Sequence, residues 1–265
     1  MAKQVVRNWG IEKIELSPWY FNSLRLKYAL EAIKGTKGKL LEVGAGAGAF
    51  SKSIKKHCPD LEVTASDIET SLLDLGKGIC NEINFVKADV CNLPFKNNAF
   101  QAIVSFDVFE HIDNPHKAIN EVYRVLDRKG VFHCATPIEG NILTIHGIAS
   151  KLKLNPKEKY AGHVQRYDTT SLIKHFSDAG FENIKVNYSG HYFYQLMDFS
   201  YFLTLTIFKK FPNNTFEGYI ENLPSGTGKS GMSLLRSLLA TVCFVESLIL
   251  KNFPGQIAHY TASKK

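Results

Sequence analysis

No two cysteines in this chain are spaced C-x-x-C. The five present (Cys58, Cys80, Cys91, Cys134 and Cys243) are odd in number and widely scattered. That pattern argues against a cysteine-built zinc site and for thiols kept reduced. Met1 to Gly10 lacks the apolar core of a signal peptide, so a cytoplasmic protein is expected. Internal repeats and low-complexity stretches are also missing, and no nucleic-acid-binding module accompanies the basic residues. Nucleic acid is therefore not expected as a partner. What the chain does have is apolar and aromatic weight, 45% and 12% of its 265 residues, enough for a substantial core and incompatible with disorder. Its net charge of +7 is spread over short clusters such as Lys52/Lys55/Lys56 and Lys151/Lys153/Lys157/Lys159. These read first as solvated faces. As functional features they would attract an anionic partner, a phospholipid surface or a phosphorylated substrate.

The most informative stretch is Leu40 to Phe50, an apolar strand that runs into Gly44-Ala45-Gly46-Ala47-Gly48 and then into an amphipathic segment ending at His57. A strand, a turn without Cβ atoms and a helix N-terminus let the backbone approach a ligand and direct free N–H groups at it. Adenosine-containing cofactors are held in this way. Asp67 closes the next apolar segment, 61–66, at the distance where an acid beyond a strand end can accept both ribose hydroxyls. Ala88-Asp89-Val90 follows a third apolar run and could meet an adenine amino group. Gly44, Gly46 and Ala49 also satisfy G-x-G-x-x-G/A, so an NAD-dependent oxidoreductase is an alternative reading. Against it, the later residues carry no hydride-transfer apparatus; a Tyr260…Lys264 spacing lies at the chain terminus.

Strand and helix signals alternate along the chain: strands near 39–44, 61–66, 83–87, 101–106 and 130–135, helices at 48–57, 69–77 and 115–126. This implies a mostly parallel sheet covered on both faces. Ser17 to Ile33 reads as an N-terminal helix with Ser17 as N-cap and Pro18 at its first position. Asp168 to Ala179 reads as another helix, and residues 182–190 as a strand. Beyond His191 the texture changes to an aromatic stretch, Tyr192 to Phe211. A polar loop follows, then an amphipathic helix, Met232 to Leu250, with Leu234, Leu238, Val245 and Leu248 on one side and Arg236, Ala240, Cys243 and Ser247 on the other. Its amphipathicity speaks against a membrane span. It serves either as a lid packed on the core or, with the aromatic stretch, as a hydrophobic acceptor pocket or membrane-surface patch. Residues 256–262 alternate like an edge strand. Within the loop, Leu223 to Ser230 nearly spells a phosphate-binding loop, but its first glycine is replaced by Leu223. No aspartate follows Lys229 to hold magnesium.

Six pieces, in order, resemble the class I S-adenosylmethionine-dependent methyltransferases, in the type 11 subgroup that includes ubiquinone-biosynthesis-like enzymes. They are Leu41 to Gly48, Ser66-Asp67-Ile68, Ala88 to Phe95, Phe100 to Ile112, Arg124 to Gly130 and His163 to Tyr167. Gln101 departs from the acid usual after the phenylalanine. The resemblance implies a Rossmann-like, seven-stranded, mostly parallel sheet with helices on both faces, an antiparallel last strand and a helical insertion. The corresponding division is an N-terminal helical segment 1–37, a cofactor-binding core 38–190, an insertion 191–253 and a returning strand 254–265. The implied cofactor is S-adenosyl-L-methionine. Gly44 and Gly46 would approach its methionine part, with Glu42 near the ammonium and Phe106 alongside. Asp67 would take the ribose, Ile68 would pack on the adenine, and Asp89 with Val90 would meet the adenine edge. On the acceptor side the catalytic candidates are His111 and His163, either of which could instead be a structural histidine. The acceptor is expected to be a small molecule, hydrophobic or lipid-linked, methylated on oxygen, with peripheral membrane contact as a further expectation. A protein that kept the fold and binds the cofactor without catalysis is the remaining alternative. Neither a metal site nor the oligomeric state is read from the sequence.

Overall fold

The computed structural model describes residues 14–153, 161–208 and 231–265, the side chains of 231–233 excepted. Leu223 to Ser230, and most of the polar loop, lie outside these residues.

Each central strand is apolar on both sides, as burial between two helical layers requires. Along β1 (Lys39–Val43), Leu40 enters one hydrophobic cluster while Leu41 and Val43 enter the other. In β4 (Phe100–Phe106), Ala102, Val104 and Phe106 alternate in the same way with Ile103. The other strands are β2 (Glu62–Asp67), β3 (Asn84–Lys87), β5 (Leu126–Pro137), β6 (Phe181–Ser189) and β7 (Ile257–Lys264). They form one sheet in the order β3-β2-β1-β4-β5-β7-β6, parallel except that β7 runs antiparallel to both its neighbours. Helices α1 (Ser23–Ala32), α2 (Ala49–His57) and α3 (Thr70–Ile79) pack against one face. Helices α4 (Pro115–Val125) and α6 (Thr169–Asp178) cover the other. Asp168 caps α6 through the Ser171 N–H at 2.7 Å and a reciprocal bond from Ser171, a capping box built from local residues.

The first helix corrects the sequence expectation. It begins at Ser23 rather than Pro18. Ser17 instead organises a turn: its carbonyl accepts from Tyr20 N at 3.2 Å, and its own N–H donates to Ser23 Oγ at 2.9 Å. A short helix, α5 (Ile145–Lys151), capped by Thr144 through the Gly147 N–H at 2.9 Å, had no periodic signal.

Two further helices, α7 (Tyr192–Phe208) and α8 (Gly231–Ile249), lie in the insertion and contact each other. Their inward faces are mixed, with Tyr194 and Phe202 of α7 buried beside polar residues, and much of their apolar surface points outward. On α8 the buried side chains are the small and polar Ala240, Cys243 and Ser247, whereas Leu234, Leu238 and Ile249 are 74%, 58% and 75% exposed. On α7, Gln195 and Asp198 face inward, and Asp198 accepts from His146 and Gln256, each at 2.7 Å. Phe193, Leu196, Leu203 and Ile207 stand in solvent. No helix among the described residues is long and apolar enough to cross a membrane.

Two histidines, His133 on β5 and His259 on β7, are fully buried side by side, with ring centroids 6.1 Å apart. Burial pushes His133 down to about 3 and holds His259 well below the ordinary histidine value, with the neighbouring His133 adding to the effect. Both are neutral in the folded chain and ionise near pH 6.5 once unfolded, so their stabilisation is present above that pH and is lost as pH falls. His133 alone should cost about 2 kcal/mol between pH 7 and 5. Urea midpoints at the two pH values check this; equal midpoints would count against it.

Candidate functional site

Parallel strands β1, β2 and β4 end on one rim, and the glycine turn lies over it. Gly44, Gly46 and Gly48 all take positive φ (70°, 55° and 77°), a region that side chains other than glycine adopt with strain. At Gly44 the crowding is also direct, since a Cβ there would come 2.2 Å from Val108 Cγ2. The turn therefore lies close under the loop that follows β4. Gly46 N donates to Asp67 Oδ2 at 2.7 Å, and Glu69 N donates to Asp67 Oδ1 at 2.9 Å. Asp67 is thus fixed at the end of β2, with its carboxylate turned toward the glycine turn rather than away into solvent.

Glu42 is 2% exposed, and its carboxylate accepts a short hydrogen bond from Ser51 Oγ of α2. Burial raises its pKa to about 8 against the Ser51 hydrogen bonds, and Asp67's charge adds to the rise. Ile68 is exposed at 59% beside Asp67, Val90 is buried, and the exposed Asp89 accepts from Cys91 N at 2.8 Å. Phe106 is the last residue of β4. Its ring is stacked on Phe50 at 3.9 Å and is 2% exposed. Next along the chain is Asp107, at φ 52°, paired with Arg25 of α1 across 3.0 Å. Sequence reasoning missed this pair, although an acid directly after an apolar strand was a signal in view.

Beyond the ends of β4 and β5 lies a second polar group. Glu110 and His111 sit on a 3₁₀ turn, Phe109–His111, and His163 sits on the segment before α6. That segment is bound to the turn by Val164 N and Gln165 N, which both donate to the Glu110 carbonyl, at 2.9 and 3.0 Å. The two imidazoles meet edge to face at 4.9 Å. His163 Nδ1 stands 2.9 Å from Glu139 Oε1, and Thr136 Oγ1 donates to Glu110 Oε2 at 2.8 Å. The structure thus brings His111 and His163 together and adds Glu110, Thr136 and Glu139, which carried no sequence signal as a set. Although no metal-ligand spacing is visible in the sequence, Glu110, His111 and His163 each offer a donor atom within 4.8 Å of the others.

Fold and rim together define a nucleoside-cofactor-binding α/β domain. Residues 41–134 match a protein family described as a methyltransferase domain. The chain is 28% identical over 159 residues to the chloroplastic 2-methyl-6-phytyl-1,4-hydroquinone methyltransferase 1 of Oryza sativa subsp. japonica, covering 59% of this chain and 45% of that protein. It is 26% identical over 142 residues to the demethylmenaquinone methyltransferase of Thermotoga maritima, covering 51% and 62%. The match thus spans about half the length of the first relative and under two thirds of the second. In fold it is similar to phosphoethanolamine N-methyltransferase 2 of Haemonchus contortus in complex with S-adenosyl-L-methionine. There the TM-score is 0.57 at 15% identity, over 91% of this chain and 52% of that one.

Residues 41–134 carry the match to the methyltransferase-domain family, and the likenesses in sequence and fold together support a class I S-adenosylmethionine-dependent methyltransferase of the type 11 subgroup. S-adenosyl-L-methionine is the cofactor of that family, and the dinucleotide alternative is not favoured.

Proposed function

We propose that the chain transfers a methyl group from S-adenosylmethionine to a small, apolar, hydroquinone-like acceptor. The observation that carries this reading is the glycine turn. Three glycines at positive φ lie beside a fixed Asp67 carboxylate, and a Cβ at Gly44 or Gly48 would run into Val108 or Phe85, so the turn holds this place only without side chains. In it, Gly44 and Gly46 would border the methionine part, Asp67 would accept the ribose hydroxyls, and Ile68, Asp89 and Val90 would meet the adenine. When bound, the cofactor supplies an electrophilic methyl group on a sulfonium. The chain's own task is to place a nucleophile in line and to exclude water. These relatives' names concern hydroquinone- and menaquinone-type molecules, and others are named ubiquinone/menaquinone biosynthesis C-methyltransferases, which favours carbon over the oxygen expected from the sequence. Loss of the hydroxyl proton makes such a ring nucleophilic; once the carbon has taken the methyl group and the sulfonium has become a thioether, that carbon gives up its hydrogen as a proton and the oxygen is reprotonated. The polar group beyond β4 and β5, with His111 and His163 in it, would favour loss of the hydroxyl proton. Purified chain with radiolabelled cofactor should transfer label into the lipid extract of cells. Binding of S-adenosylhomocysteine without transfer would support a non-catalytic protein instead.

Glu42 supplies a pH test. Its carboxyl, at about 8, is largely protonated at neutral pH and should release that proton when an ammonium settles beside it. Affinity for S-adenosylhomocysteine should then rise by up to about tenfold per pH unit between 6 and 8. Calorimetry in buffers of different ionisation enthalpy reads the released proton, and Glu42→Gln should flatten the profile. A flat profile in the unaltered chain would remove Glu42 from the ammonium site.

The outward apolar faces of α7 and α8, with Ile148 of α5 and Leu152 just after it, favour an anionic phospholipid surface as the place where such an acceptor is met. Lys151, Lys153 and Lys251 are exposed on or next to the same helices, the right sign for that surface. The chain should float with vesicles containing phosphatidylglycerol, and Leu203→Ser with Ile207→Ser should reduce this without lowering thermal stability. Absence of flotation would sink the membrane reading.

A further inference from the structure

From the polar group beyond β4 and β5 we infer that Glu110, His111 and His163 hold a divalent transition-metal ion of the zinc class. Glu110 is 1% exposed, and its Oε1 has no hydrogen-bond partner among the described residues. Its nearest ring nitrogen, His111 Nε2, is 3.9 Å away, too far for a hydrogen bond. A carboxylate oxygen buried in this way needs a cation or a donor, and the atoms that surround it are metal ligands.

Glu110 and His111 are also oriented from behind. Thr136 Oγ1 donates to the other Glu110 oxygen at 2.8 Å. His111 Nδ1 lies 3.1 Å from the Gly162 carbonyl. A carbonyl can only accept, so Nδ1 carries the hydrogen and the lone pair is on Nε2, toward Glu110. His163 Nδ1 lies 2.9 Å from Glu139 Oε1, an ion-pair distance without hydrogen-bond geometry. For His111, a carbonyl behind the ring with the far nitrogen turned toward Glu110 is the arrangement that fixes ring orientation at metal centres. Two imidazoles and one carboxylate suit zinc-class ions and leave a coordination position for an oxygen of the substrate. The use of the ion rests on the methyl-transfer reading: it would bind the acceptor's hydroxyl oxygen and ease loss of its proton, which departs to solvent. Its binding does not depend on that reading.

The test uses the full chain, stripped with a chelator and dialysed against cobalt(II). Bound metal is read by atomic emission and by the visible bands of low-coordinate cobalt. One ion per chain is expected, lost in Glu110→Gln and in the less buried His111→Ala. Both variants should still bind S-adenosylhomocysteine, which shows that they are folded. Asp67→Ala should keep the metal while losing the nucleoside. Metal retained by both triad variants, sulfur-to-cobalt charge-transfer bands that mark cysteine capture, or no bound metal would overturn the inference. Metal bound at the triad in a chain that transfers no methyl group would sink the methyl-transfer reading alone.

Discussion

Asp67→Ala is expected to weaken S-adenosylhomocysteine binding by on the order of 2–4 kcal/mol, the loss of two charge-assisted hydrogen bonds. That is roughly a 30- to 800-fold rise in Kd. In the unliganded chain each oxygen of this carboxylate accepts one backbone N–H, from Gly46 and from Glu69. The second lone pair on each oxygen is what two ribose hydroxyls would use. Because alanine also strands the Gly46 N–H, part of the loss would come through a loosened glycine turn. Asp67→Asn separates the two effects. It keeps one oxygen for the turn but presents an NH₂ group in place of the other acceptor, so its loss should fall between that of alanine and none. Isothermal titration gives the affinities, and thermal melting reports any change in the turn's own stability. Wild-type affinity in Asp67→Ala would take the ribose away from this residue.

The cofactor rim was legible in the sequence because its determinants are local. Apolar runs set strands β1 and β2, glycines set the turn, and one acid at a strand end completes the geometry within thirty residues. The second polar group was only half legible. His111 and His163 are 52 positions apart. They meet because the segment around Val164 folds back onto the Glu110 carbonyl, a contact that no periodicity announces. Glu139 and Thr136 reach the same place from the end of β5, after an apolar run that says nothing of where their side chains point. Helix α8 was legible as amphipathic but not in its orientation. An apolar stripe ordinarily faces the core. Here inward positions are given to hydrogen bonds: Ser247 Oγ accepts from Gly190 N at 3.2 Å, and Asp198 of α7 gathers His146 and Gln256. Those partners lie about sixty residues away along the chain. Helix α1 began late for a nearby reason, since Ser17 spends its carbonyl and N–H on a turn.

Removing Arg25 should have the largest effect on stability. Its Nε lies 3.0 Å from Asp107 Oδ2, with side chains 5% and 14% exposed, so the pair is screened little by solvent. Taking away one member leaves the other charged and buried, which costs about 3–5 kcal/mol in comparable sites. In a chain of 265 residues that corresponds to a fall in Tm of roughly 6–20 °C. Asp107→Asn should behave similarly, because asparagine tolerates the φ of 52° and removes only the charge. Combining Arg25→Met with Asp107→Asn leaves neither charge and should recover a large part of the loss. That non-additivity distinguishes the ion pair from two independent packing defects. The pair also joins α1 to the loop directly after β4, which carries Val108 over Gly44. Loosening it should therefore weaken nucleoside binding as well as stability, and the double variant should restore stability more fully than affinity. Additive losses in the double variant, or single variants within about 1 kcal/mol of wild type, would show that the pair does not hold the first helix against the rim.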